Sequence, residues 1–246
     1  MTVKRRSLMQ FLALFGAALW TPAKASSAPD LLAAMRGAMP KEITLPEEIA
    51  RAVEWLQANG AVQGGDPPPY ADLYPSSVKG EFTRSYFAFA PDKDHMGNWL
   101  GNSDPAVLAR VAVIGATGGE GSRAAIWLDD AGKQHFVHVG SGSGSGFVGV
   151  IADNPVDFLR FVAIGYEEPC FSDYYDQTAE EMFEDWRGGD EDAPPYRGPT
   201  EFRAWVETTF NVTVPARGSE IVKNTPGIDD ETSTDPFWLW TKKAAK

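Results

Sequence analysis

A chain of 246 residues with 43% apolar side chains can bury one sizeable core, and eight tryptophans with fourteen phenylalanines supply large groups to fill it. Its 34 acidic residues against 22 basic ones give a formal charge of −12, which repels phosphate backbones and disfavours nucleic acid as a partner; it suits a basic protein, with solubility alone as the competing reading. The single cysteine, Cys170, excludes an internal disulfide framework and any cysteine-based zinc site.

The first 25 residues carry a message of their own. Lys4-Arg5-Arg6 precedes an apolar stretch from Phe11 to Trp20, and Ala23-Lys24-Ala25 follows as a small-x-small cleavage pattern. This is the basic, apolar, small-residue layout of a bacterial export signal. The apolar run is too short for a stable membrane span. Arg5-Arg6-Ser7-Leu8-Met9 also resembles a twin-arginine signal, with Lys4, Leu8 and Gln10 departing from that pattern. Residues 1–25 therefore read as a signal that sends the chain to the periplasm, with an N-terminal helix on a cytoplasmic domain as the competing reading.

Residues 26–44 read as a connector, weakly helical, with Asp30 able to cap residues 31–37. Pro46 then opens a helix with Glu47 and Glu48 in its first turn, Ile49, Val53 and Leu56 on one face, and Asn59-Gly60 at its close. A loop is expected over residues 64–69 and a strand over residues 82–89. Residues 111–114 form an apolar run. They lead into Gly115, Gly118 and Gly121, which satisfy G-x-x-G-x-x-G, a dinucleotide-binding pattern. The pattern needs a helix of several turns next, and only a few residues separate it from Ile126-Trp127-Leu128. A tight turn between strands is the favoured use of these glycines.

From Ala124 to Cys170 the order is strand, turn, strand, glycine-serine loop, strand, helix. Strands are expected over 125–128, 134–139 and 147–151, with Asp129-Asp130-Ala131-Gly132 as a hairpin turn. Asn154 caps a helix over 155–164 with Pro155 in its first turn, and Phe158, Leu159, Phe161, Val162 and Ile164 mark it as buried; Gly165 ends it. Thr178 and Glu181 resemble a capping box ahead of an acidic helix with Met182, Phe183 and Trp186 inward. Residues 188–199 form an acidic, proline-rich loop. The next helix carries Phe202, Trp205, Val206 and Phe210 at helical spacing, and residues 241–246 read as a basic tail.

Catalytic constellations are thin. His135 and His138 fall on opposite faces of a strand, and His95 sits among Asp92, Asp94 and Asn98 in a polar stretch expected to face solvent. Asp129 and Asp130 diverge on a turn. Cys170 follows two glutamates, a setting that raises a thiol pKa and lowers its reactivity. The sequence therefore points away from an enzyme and implies no cofactor and no metal.

The "IWLDD.G" hairpin, the "GSGSG" loop and the helix phrase "NPVDFLRFVAIGYEE" together resemble the SUKH superfamily, which joins yeast cell-wall-synthesis regulators to bacterial toxin-immunity proteins. More distant agreement comes from "LPEEIARAVEWL", "EFRAWVETTFNVTVP" and "DDETSTDPFWLW", so the similarity covers residues 45–240. The resemblance implies a single α+β domain, a twisted and mainly antiparallel sheet with packed helices. It also implies a non-catalytic module that binds a protein, as an immunity protein covers a basic toxin domain. An exported enzyme or nucleotide-binding protein using residues 115–121, or a regulator of cell-wall assembly, are the alternatives.

The resemblance carries no contact residues across, so the binding surface is read from residue chemistry. Glu167, Glu168, Asp173, Tyr174, Tyr175 and Asp176 combine carboxylates that steer a basic partner with tyrosines that bury large area. The loop serines Ser141, Ser143 and Ser145 form the second candidate surface, because loops on rigid scaffolds carry binding.

Overall fold

Short apolar runs separated by glycine and Asx turns favour strands that pair with their neighbours in sequence, and the chain builds its sheet in that way. The computed structural model describes residues 29–64, 68–190 and 192–245. The export-signal reading of residues 1–25 lies outside them, as do residues 65–67 of one expected loop and residue 191 of another. Among the described residues seven strands, β1 (Val62–Gln63), β2 (Tyr70–Asp72), β3 (Ala88–Asp92), β4 (Val111–Ala116), β5 (Arg123–Leu128), β6 (Gln134–Val139) and β7 (Val148–Ala152), lie side by side in chain order. Every pair is antiparallel. Helices pack against this sheet, so the α+β architecture expected from the sequence is the one formed.

The two faces of the sheet hold different cores. Ile114, Ala124, Ile126 and Phe136 point to the larger one, where α5 (Pro155–Ile164) buries Phe158, Leu159, Phe161 and Val162. Phe158 stacks on Phe136 at 4.6 Å between ring centroids. Asn154 accepts the Asp157 amide to start α5, and Gly165 ends it at φ 87°, a conformation that costs a side-chain-bearing residue steric strain. Also on this side are α2 (Glu47–Ala58) and α7 (Thr200–Phe210), which bring Leu56, Phe202 and Val206. On the other face Val111, Val113, Ala125, Trp127, Val137 and Val139 pack against Phe237, Trp238 and Trp240 of α8 (Pro236–Ala244). The remaining α-helices among the described residues are α1 (Leu31–Ala38), α3 (His95–Leu100), α4 (Pro105–Leu108) and α6 (Ala179–Arg187).

Four expectations about the elements need correction. The connector contributes a helix to the core, with its residues 26–28 outside the described ones: Asp30 caps α1 as foreseen, and Leu31 and Met35 are fully buried because one short helical stripe suffices to dock a two-turn helix. Residues 241–244 of the basic tail are the end of α8, with Thr241 and Ala244 buried and the Lys242 amine donating to the Ile228 carbonyl at 2.7 Å, and residue 246 lies outside the described residues. The strand expected over 82–89 begins only at Ala88. The extended stretch before it pairs elsewhere, Thr83 exchanging bonds with Pro195 and Arg197, and the Tyr86 amide donating to the Glu167 carbonyl at 2.7 Å. Trp186, expected inward, is 44% exposed and leans on Phe171 and Tyr174 instead.

Candidate functional site

Glycine runs allow tight reversals, and both runs of this chain are hairpin tips at one end of the sheet. The Thr117 amide donates to Ser122 at 3.1 Å across the β4–β5 tip, and the Gly140 amide donates to Phe147 at 2.9 Å across the β6–β7 tip. The first tip leads directly into β5, so Gly115, Gly118 and Gly121 lack the helix that a pyrophosphate site uses. A third segment, leaving α5 after Gly165, lies against both tips.

Side chains and backbone knit the three segments together. The Cys170 amide donates to Thr117 at 3.1 Å, the Gly119 amide to Glu168 Oε2 at 3.1 Å, and the Ser145 hydroxyl to the Cys170 carbonyl at 2.6 Å. Ser122 ties the tips to each other, accepting the Ser141 amide at 2.9 Å while its hydroxyl donates to Glu120 at 2.5 Å. Gly118 is needed for closeness: a Cβ there would stand 2.5 Å from Cys170 Sγ. Beneath the tips, buried His138 bonds Thr117 Oγ1 at 2.9 Å and the Phe147 carbonyl at 2.8 Å. The carbonyl can only accept, so Nδ1 carries the proton and Nε2 receives the threonine hydroxyl. Burial holds this ring neutral, its pKa lowered to about 4.

The nine residues singled out from sequence are divided by this arrangement. Tyr175 is 3% exposed, edge-on to Phe161 and Phe147 and stacked on Tyr166, with its hydroxyl donating to Pro169 at 2.6 Å. A short 3-10 turn, Ser172–Tyr174, reverses the chain and drives it into the core, so Tyr175 cannot touch a partner. Ser145 is likewise buried, its hydroxyl spent on Cys170. Ser141 is half-buried and bonds the exposed Ser143 at 3.1 Å. Glu167 and Glu168 are half-buried, and Asp173 and Asp176 are exposed. Tyr174 is half-buried, its ring 5.8 Å from that of Trp186.

This end gathers several carboxylates. Burial, and then the neighbouring Glu168 carboxylate, pushes the Glu167 carboxyl above the ordinary range; burial does the same to Glu168. Among the described residues none of Glu120, Glu167, Glu168, Asp173 and Asp176 forms a salt bridge. Burial first, then Glu120 and Glu168, drives the Cys170 thiol far up, which leaves it a poor nucleophile.

Elsewhere the histidines and acids behave as structure. His135 is held between Asp129, 2.9 Å away, and Asp153, 2.7 Å away, while Asp130 turns to Arg110 at 2.7 Å. His95 is half-buried rather than solvated, as the first residue of α3. Its Nε2 is enclosed without a partner among the described residues, and burial, then Arg123, lowers its pKa. Among the described residues no group of three or more His, Cys, Asp and Glu side chains is placed to hold a metal ion, and no helix is long and apolar enough to cross a membrane.

Sequence reasoning missed Glu120 and Tyr86. Glu120 lay inside a glycine pattern considered for its backbone alone. Tyr86 lay in a supposed strand, yet it is 55% exposed beside Glu168. Comparison with family models, with curated proteins and with solved structures finds no match to this chain.

Proposed function

We propose that this protein is a non-catalytic binding module that neutralises a basic bacterial toxin domain by direct contact, the role implied by its resemblance to SUKH immunity proteins. One observation carries the reading: three segments are bonded into a firm end of the sheet that presents carboxylates without a salt-bridge partner among the described residues beside the exposed ring of Tyr86. A preformed surface loses little entropy on binding. Its carboxylates accelerate encounter with a cationic partner, and aromatic area provides the adhesion. Action in the cell envelope belongs to the same proposal and follows from the basic-apolar-small layout of residues 1–25.

The test is capture of a partner on the purified chain, followed by association kinetics with Asp173→Lys and Asp176→Lys combined. The substitutions should slow association several-fold, more at low salt than at high, with little change in melting temperature. A captured partner whose association ignores both substitution and salt would leave the acidity a matter of solubility. Failure to capture any protein would remove the reading.

A further inference from the structure

Small side chains leave room on a sheet, and this chain places several together. A groove of about 740 Å3 is lined by Ala88 and Ala90 of β3, Ala116 of β4 and the aromatic rings of Tyr70 and Tyr86. Both tyrosines stay open to solvent, at 39% and 55%. The size is that of a ligand site, and an apolar floor between aromatic rings suits a side chain of similar character. Gly118 carries the groove to the β4–β5 tip, where it meets the acidic end described above.

At that junction the bonding is incomplete on one side. Glu168 Oε2 accepts the Gly119 amide, whereas Oε1 has no hydrogen-bond partner among the described residues. A carbon built on Gly119 would lie 3.6 Å from Oε1 and 3.7 Å from the Tyr86 ring, so the missing side chain leaves a gap between carboxylate and ring. Arg123, the guanidinium lining the groove, does not fill it. It donates to the carbonyls of Gly121 and Ser122 and stands 3.7 Å from Asp92. A planar cation is the group that an aromatic face and a free carboxylate oxygen bind together.

We infer that the groove takes an extended segment of the protein partner, with an apolar or aromatic residue against Ala88 and Ala90 and an arginine between the Tyr86 ring and Glu168 Oε1. The inference rests on the binding reading above and gives that partner's chemistry. Charge complementarity supports it, since Glu167 and Glu168 are crowded and half-buried with no cation of their own among the described residues. An incoming guanidinium would relieve that crowding.

The probe is acetyl-Tyr-Ala-Arg-amide, titrated into the full 15N-labelled chain and followed by the amide resonances of Ala88, Ala90, Gly118 and Gly119. Saturable shifts are expected at those positions. Affinity should fall by about ten-fold in Glu168→Gln and in Tyr86→Leu, and by as much when citrulline replaces arginine. Gly119→Leu should block the gap outright; its backbone is not in the left-handed region, so the fold should tolerate it. Shifts that never saturate at millimolar peptide, or binding that survives all three substitutions, would overturn the inference. Shifts that grow with protein concentration alone would overturn it too, by making a second copy the occupant. Peptide binding without any captured protein would keep the groove and remove the toxin-neutralising role. A captured partner indifferent to Gly119→Leu would do the reverse.

Discussion

Lowering the pH from 7 to 4 should destabilise this protein through one buried ring. His138 is fully enclosed, and its folded pKa of about 4 lies well below the ordinary 6.5. The unfolded chain therefore takes up a proton that the folded chain refuses, and stability falls as pH falls through that window. Linkage puts the loss at about 2 kcal/mol by pH 5 and about 3 kcal/mol by pH 4. Glu167 and Glu168, raised in the fold, act with the opposite sign in part of this range, and His95 acts with the same sign. The informative quantity is thus the difference between wild type and His138→Gln. Glutamine can still donate to Phe147 and accept from Thr117, but it does not titrate. Urea unfolding at several pH values should show the wild type losing its lead over the variant as pH drops, by about 3 kcal/mol in total. Parallel pH profiles for the two proteins would refute the reasoning, as would a His138 NMR titration near pH 6.5.

Two further outcomes are expected. Asp235 is 4% exposed, caps α8 by accepting the Phe237 and Trp238 amides, and accepts the Val150 amide at 3.0 Å; Asp235→Ala should cost about 3 kcal/mol in chemical unfolding, against under 1 kcal/mol if it were only an exposed cap. Cys170 should resist alkylation at pH 8 in the native protein and react once denatured, because its thiol is buried and its pKa raised; rapid native labelling, followed by mass spectrometry, would contradict that placement.

The elements legible in the sequence are those whose signals are local. Asn154, Pro155 and Gly165 bracket α5, and the Asp129–Gly132 turn fixes the register of β5 against β6, where Leu128 faces Gln134. The candidate site was legible only in part, because its geometry comes from distant segments. Glu168 meets Gly119 across 49 residues, and the Gly218 amide donates to the Tyr166 hydroxyl across 52, helping to wall in the stacked Tyr175. No spacing rule distinguishes Tyr175, which is buried, from Tyr86, which is exposed; the difference lies in which loops return to cover each ring. Ser145 misled for the same reason, since a serine in a glycine loop looks solvated until a carbonyl such as that of Cys170 is brought to it.

Because each strand pairs with the one made just before it, the sheet can grow in step with synthesis, by short loop closures. The last edge is an exception. The outward amides of β7 at Val148 and Val150 are satisfied by Pro226 and Asp235, which leave the ribosome some eighty residues later. Until then the nascent chain carries an open strand, the kind of edge that recruits other chains. The C-terminal segment thus serves as a closing seam, and a truncation before Pro226 would leave all seven strands with β7 open and prone to aggregate.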